Sequence, residues 1–166
     1  LLSILEKHFS SSSNQLSNRP SSSDFALYGQ LSQLVNFDPT PREICHEVSL
    51  RTVAWVGLIE DQSGIEVTDE QWGSIESLPS TVKDLLIEIG NGYVPAQLAN
   101  ARAIENGDKE WETEIDNCLW KQKSFPYQAK CLKWVNEEYS ALEKNDRKKV
   151  NNLLDGTGCE RLILKL

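Results

Sequence analysis

A segment between residues 19 and 31 fixes the start of one helix more tightly than any other part of the chain. Ser21 and Asp24 have the Ser-x-x-Asp spacing of a helix N-terminal capping box. In such a box the hydroxyl and the acidic side chain satisfy backbone N–H groups that the first turn leaves unpaired. Apolar residues follow at helical spacing: Phe25, Tyr28 and Leu31, with Leu27, Leu34 and Val35 beside them. The pattern predicts a buried helix from about residue 22 to residue 36.

Composition limits the classes of protein that the chain can represent. Its 166 residues are 39% hydrophobic and 25% charged, which suffices for one domain with a core, or for one domain with an appendage. The net charge of −8 repels phosphate backbones, so we expect no nucleic-acid partner. No apolar run approaches the length of a membrane span, and the pattern of a secretion signal is not seen. We therefore expect a cytoplasmic protein without a membrane partner.

The cysteines and histidines do not have the spacing of a metal site or of a disulfide framework. The chain has four cysteines and two histidines: Cys45, Cys118, Cys131, Cys159, His8 and His46. The cysteine intervals are long and irregular, and none forms a Cys-x-x-Cys pair. We expect reduced, unpaired thiols and no metal.

The beginning of the chain has the pattern of a helix end. Residues 1–9 are apolar at helical spacing, whereas the Ser- and Asn-rich residues 10–23 predict a polar loop. The helical pattern has no start signal, and the chain has no Met at position 1. We therefore expect further residues upstream of Leu1.

Two helices are predicted after the capped one. Thr40, Pro41 and Glu43 form a second capping box, with Thr40 as the cap and Pro41 at the first helical position. The helix that they open should extend to about Val48. Ser49 then begins a mostly apolar helix that should end near residue 61.

Glycines mark the predicted ends of the next two helices. Pro79 begins a helix that Gly90 and Gly92 should terminate. The Ala-rich residues 93–106 predict a separate helix, with Gly107 as its stop.

The character of the chain changes in its last third. Apolar and polar residues alternate on both sides of Asp116-Asn117, which predicts a β-hairpin over about residues 110–124. Helices are predicted over about 127–142 and 146–154. The tail from Cys159 to Leu166 is apolar enough to dock on the rest of the chain.

Three segments resemble one family of proteins. The Ser21–Asp24 box, with a Pro before it and an apolar run after it, resembles the N-capping box of the central buried helix in the all-helical C-terminal domain of glutathione transferases. The segment 51–56 looks like another helix of that domain. The segment 125–132 looks like part of the C-terminal extension of a bacterial subgroup of glutathione-transferase-like proteins.

The resemblance implies a mainly α fold, a glutathione-transferase C-terminal-like helical bundle with an appended β-hairpin and two C-terminal helices. The helical domain would span residues 1–107 and the extension residues 108–166. Ser21 and Asp24 would serve folding and not chemistry. In the family, glutathione is the co-substrate and homodimers are usual.

The implied reaction is attack of the glutathione thiolate on a small electrophile. The family places its glutathione site mostly in an N-terminal thioredoxin-like domain, and this chain shows no matching segment. No catalytic or cofactor-binding residue is therefore carried over. The chain would shape the electrophile side of the pocket and would be inactive by itself.

Two other functions are compatible with the sequence. The chain would serve as a non-catalytic binding or scaffold module if no reactive domain precedes it. It would be a redox protein if Cys131 or Cys159 were reactive.

Several side chains are candidates for chemistry, each with a structural alternative. Lys130 could activate Cys131, although a buried structural thiol is the alternative. Cys45 and His46 are neighbours in a helix and should point apart. Glu112 and Glu114 share one face of a strand, where a solvated surface is the alternative to an acid–base pair. Aromatic residues of the last third could line a ligand pocket or pack the extension onto the core: Trp111, Trp120, Tyr127, Trp134 and Tyr139.

Overall fold

The computed structural model describes residues 1–163 and is mainly helical, which confirms the predicted fold class at that level. The elements are α1 (Leu2–His8), α2 (Ser22–Asn36), α3 (Pro39–Val48), α4 (Leu50–Glu60), α5 (Ser80–Asn106), β1 (Glu110–Ile115), β2 (Cys118–Lys123), α6 (Pro126–Ala141) and α7 (Lys144–Leu154). Short 3₁₀ helices cover Asp69–Gln71, Ile75–Ser77 and Cys159–Leu162. The chain divides into two compact units, Leu1–Asp84 and Leu85–Leu166.

The first unit packs α2 against α3 and α4, and α1 against the same two helices. Trp55 of α4 is buried at the centre, where Phe9 stacks on its ring at a centroid distance of 4.7 Å. The Trp55 indole N–H donates to the carbonyl of Ser13 at 3.1 Å, so the polar group of this large side chain is satisfied. The other buried apolar residues of this unit are Leu5, Leu31, Val35, Cys45, Val56, Ile59 and Val82.

The capping box at the start of α2 forms as the sequence predicts. Asp24 is fully buried, and its carboxylate accepts from the backbone N–H of Ser21 at 2.9 Å. It also accepts from the backbone N–H of Gln15 at 2.8 Å, which ties the preceding loop to the helix start. The predicted apolar face is only partly right, because Phe25 is 50% exposed and burial is concentrated at Leu31 and Val35.

The predicted start of α3 is wrong by two residues. Asp38, not Thr40, is the cap, and its carboxylate accepts from the N–H of Thr40 at 3.2 Å. Pro39 therefore occupies the first helical position. Pro41 is tolerated in the same turn because N–H groups of a first turn have no acceptor within the helix.

The start of α4 is capped by two different elements. Ser49 is the cap residue, as predicted, and its hydroxyl accepts from the N–H of Thr52. Glu6 of α1 adds a carboxylate that accepts from the backbone N–H of Arg51 at 2.9 Å and from the Ser49 hydroxyl at 3.1 Å. The hydrogen bond from the Arg51 backbone is the main reason that the pKa of Glu6 is lowered, with the Arg51 side chain contributing.

One continuous helix replaces the two that the sequence predicts between residues 79 and 106. Gly90 and Gly92 lie inside α5 and do not terminate it. A Cβ atom on Gly90 would lie 1.9 Å from the carbonyl oxygen of Thr157, so the glycine admits a close backbone approach within the second unit. Pro95 also lies within the helix. Gly107 ends it with φ +77°, as predicted.

The β-hairpin is confirmed. β1 and β2 pair antiparallel with Glu110 opposite Lys123 and Ile115 opposite Cys118. Asp116 and Asn117 form the two-residue turn, both with positive φ (51° and 60°), as a type I′ turn requires.

The second unit has its core around α5. Val94, Leu98, Ala101, Leu132 and Cys159 form one buried cluster. Both α6 and α7 contact the 3₁₀ helix Cys159–Leu162, which confirms docking for that part of the predicted apolar tail. Residues 164–166 of the tail lie outside the described residues.

Candidate functional site

A cavity of about 430 Å³ lies between α5 and β1 in the second unit. This volume falls within the range of ligand pockets. The lining residues come from one face of α5, from residues that follow it, and from the 3₁₀ helix near the end of the chain: Pro95, Leu98, Ala99, Arg102, Ala103, Asn106, Asp108, Glu110, Trp111, Glu112, Thr113 and Arg161. The small side chains Ala99 and Ala103 leave room between the helix and the strand.

The edge of β1 forms one wall of this cavity. Four successive residues, 110–113, line it, although neighbouring side chains of a strand point to opposite faces. Successive lining residues indicate that the strand presents its backbone edge. The sheet has two strands, so the other edge of β1 pairs with β2. Within residues 1–163, no backbone hydrogen bond reaches the outer edge of residues 110–113.

Two arginines place positive charge on the cavity. Arg161 is held in place because its Nε donates to the carbonyl of Gly158 at 3.1 Å and its Nη2 to the carbonyl of Gly90 at 2.7 Å. Arg102 projects from the exposed face of α5. The guanidinium of Arg161 is thus preorganised, whereas that of Arg102 is free to adjust.

Carboxylates lie on the same cavity. Glu110 is paired with Lys121 across the hairpin at 3.0 Å. Hydrogen bonding and charge attraction from Glu110 raise the pKa of Lys121, and Glu112 adds to the effect. Asp108 makes no ion pair with the described part of the chain. The cavity therefore carries both signs of charge, and Asp108 and Glu112 are its two acids without an ion pair among residues 1–163.

Trp111 closes the inner side of the cavity. It is the one buried aromatic among those that the sequence places in the last third, with an exposed fraction of 6%. Its indole Nε1 is buried and has no hydrogen-bond partner among residues 1–163. A buried N–H without an acceptor costs free energy.

Of the other aromatic candidates, Trp120, Tyr127 and Trp134 are exposed and Tyr139 is half-buried, so packing onto the core holds for Trp111 but not for the three exposed residues. Trp120 and Tyr127 are more than half exposed, and Trp134 is 43% exposed. The Tyr127 and Trp134 rings meet edge to face at 6.1 Å, and the Lys130 ammonium lies 4.8 Å from the Trp134 centroid. Trp120 is exposed because it lies in the hairpin, outside the core, and Tyr127 and Trp134 are exposed because they lie on the outer side of α6.

The two cysteine candidates, Cys131 and Cys159, lie in different surroundings. Lys130 lies over the ring of Trp134. Cys131 is half-buried, next to the core residue Leu132, and its nearby charge helps to raise the pKa of Tyr93, for which burial is the main cause. The Cys159 thiol is buried, where it donates to the carbonyl of Leu86 at 3.1 Å, and burial raises its pKa.

The remaining candidate pairs are also separated or solvated. Cys45 is buried, which raises its pKa, whereas His46 beside it is exposed. Glu112 and Glu114 share one exposed face of β1, as the structural alternative predicts. Among residues 1–163, no group of three or more His, Cys, Asp or Glu side chains is placed to hold a metal ion.

Sequence reasoning named two residues that line the cavity, Trp111 and Glu112, but did not locate the cavity itself. Asp108, Arg102 and Arg161 belong to no motif in the sequence. The only available signal was the Ala99–Ala103 spacing, which places two small residues on one face of a helix.

The comparisons with known proteins give no match. No family model fits the chain, and neither the curated proteins nor the solved structures show significant similarity to it. None of the described helices is both long enough and apolar enough to cross a bilayer.

Proposed function

We propose that this chain is the helical part of a glutathione-transferase-like protein, in which it forms the electrophile side of the conjugation pocket. The observation that carries the proposal is the buried capping box of α2. The resemblance assigns Ser21 and Asp24 to folding. The Asp24 carboxylate is fully buried and accepts hydrogen bonds from two backbone N–H groups. A buried, fully engaged carboxylate at a helix start fits that role.

The buried thiols of the chain support the proposal that another domain supplies the activating group. Burial raises the pKa of both Cys45 and Cys159, which lowers the fraction of reactive thiolate at neutral pH. The nucleophile of the proposed reaction is instead the glutathione thiol. Its activation would come from a separate thioredoxin-like domain.

The test begins with the coding region immediately upstream of Leu1, followed by expression of the complete protein. We expect a thioredoxin-like domain and glutathione-dependent conjugation of at least one electrophile from a panel of aryl halides and enones. The 166-residue chain by itself is the control and should give only the uncatalysed rate. A complete reading frame that begins close to Leu1 would overturn the proposal.

A non-catalytic binding module is the second candidate function. The exposed aromatic row on α6 favours it, because Phe125, Tyr127 and Trp134 are each between 43% and 57% exposed. Homodimerisation through this row would be one such role. Sedimentation of the wild-type chain and of the Trp134→Ala variant tests it, since a dimer that uses the row should dissociate in the variant.

A further inference from the structure

We propose that the cavity between α5 and β1 binds an extended peptide segment, which pairs with the free edge of β1 and carries opposite charges at its two ends. This inference is independent of the proposed conjugation function, because every lining residue belongs to the second unit and no thiol takes part.

The backbone edge of β1 supplies the affinity. A sheet edge with unpaired N–H and C=O groups is a template for another strand. Addition of a peptide strand to such an edge is a recurrent mode of recognition. The cavity beside residues 110–113 leaves space for that strand, and one face of α5 forms the opposite wall.

The dimensions of the cavity set the length of the peptide. Its α5 wall extends from Pro95 to Asn106, which corresponds to about 16 Å along a helix axis. A strand advances about 3.3 Å per residue, so roughly five residues fill this length. The wall is apolar at Leu98, Ala99 and Ala103, which suits small apolar side chains on one face of the peptide.

The charges of the cavity set the ends of the peptide. Asp108 lies two residues after the C-terminal end of α5, whereas Arg161 is bound to the carbonyl of Gly90, more than one helical turn before Pro95. The two charges therefore lie toward opposite ends of the cavity. An acidic peptide residue fits the Arg161 end and a basic one fits the Asp108 end. Arg102 lies between the two ends, four residues before Asn106, and its side chain tilts toward the N-terminus of α5 and therefore toward the acidic residue.

The direction of the peptide follows from the direction of β1. The strand starts just after Asp108 and runs away from it. An antiparallel peptide thus begins at the Arg161 end and ends at Asp108. The matching sequence has an acidic first residue, an apolar centre and a basic last residue, as in acetyl-Glu-Val-Ala-Val-Lys-amide.

Nuclear magnetic resonance titration of the ¹⁵N-labelled chain with this pentapeptide tests the proposal. We expect saturable shifts of backbone N–H signals of residues 110–113 and of the Trp111 indole N–H, which is assigned with Trp111→Phe. Glu-Val-Pro-Val-Lys, blocked in the same way, should lose most of the affinity because proline removes a strand N–H donor. The neutral Gln-Val-Ala-Val-Gln should bind about tenfold more weakly, since both charged ends are removed.

Variants of the chain test where the two charged ends of the bound peptide lie. Arg102→Gln should lower the affinity for the pentapeptide about threefold to tenfold, and Asp108→Asn should lower it by a similar factor. The matched controls are Arg42→Gln and Asp155→Asn, which remove exposed charges that do not line the cavity and should leave the affinity unchanged. The absence of saturable shifts at millimolar peptide would overturn the proposal. Equal affinity for the proline peptide, or no effect of Arg102→Gln and Asp108→Asn, would overturn it as well.

Discussion

Asp24 is the residue on which the loop before α2 and the helix itself both depend. Its carboxylate accepts from the N–H groups of Gln15 and Ser21, at 2.8 and 2.9 Å, in a fully buried position. Asp24→Ala would leave both part-buried donors without this acceptor, so we expect it to lower the free energy of unfolding by about 2–4 kcal/mol. Urea denaturation measures the loss.

Ser22→Ala is the control for this prediction, because Ser22 is exposed in the same helical turn. We expect that change to fall within about 0.5 kcal/mol of wild type. Equal stabilities of the two variants would show that the box does not hold the loop.

At the level of single residues, the sequence predicts interactions between residues that are only a few positions apart. Ser21 and Asp24 are three residues apart, so their capping box could be recognised. The bond from Gln15 to Asp24 depends on the path of an irregular loop, and the orphaned indole N–H of Trp111 depends on packing. Neither the hydrogen bond nor the unpaired N–H group can be recognised from the neighbouring residues in the sequence.

Among the secondary-structure elements, α5 shows most clearly why local patterns mislead. Gly90 and Gly92 look like helix stops, yet only Gly90 meets the backbone of Thr157, which is 67 residues later in the chain. That contact is invisible in the sequence. The boundaries of α2 and the hairpin turn were predictable because their signals, a capping box and Asp116-Asn117, act locally.

Gly90 and Gly92 therefore make a matched pair of alanine substitutions. Gly90→Ala places a methyl group against the Thr157 carbonyl, and we expect a loss of about 2 kcal/mol or more in the free energy of unfolding. Gly92→Ala meets nothing within 4 Å and should stabilise the helix by about 0.5–1 kcal/mol. Thermal and urea denaturation compare the two, and effects of the same sign would contradict this explanation of α5.

The link between α1 and α4 predicts a pH dependence. The folded-state pKa of Glu6 is lowered, so its stabilisation is complete above the ordinary glutamate pKa of about 4.3 and is lost as the pH falls through the lowered value. Glu6→Gln should reduce stability at neutral pH and flatten the stability profile in acid. We expect the exposed control Glu66→Gln to retain the wild-type slope; an unchanged slope in Glu6→Gln would contradict the link.

For the whole molecule, burial ranks the four thiols. Cys118 is exposed, Cys131 is half-buried, and Cys45 and Cys159 are buried with pKa values raised by that burial. We expect iodoacetamide at neutral pH to modify Cys118 first and Cys45 and Cys159 last, as followed by mass spectrometry of the peptides. Fast reaction of Cys159 in the folded chain would instead favour the redox hypothesis.

At the scale of the whole molecule, the position of the candidate site was the feature that the sequence predicted least. The individual helices and the hairpin followed from periodicity, capping and turn signals, and the fold class from the resemblance. The cavity, in contrast, needs α5, β1 and Arg161 to meet, and their separation in the sequence hides this. Membership of the glutathione-transferase family stays a prediction that depends on the three segments of resemblance alone.

Binding of glutathione separates the conjugation function from its alternatives. We would titrate reduced glutathione into the complete protein, encoded together with the region upstream of Leu1, by isothermal titration calorimetry, with the 166-residue chain as the control. We expect saturable binding to the complete protein and none to the chain alone. No binding to the complete protein would contradict the conjugation function, and binding to the chain alone would contradict the assignment of the glutathione site to another domain.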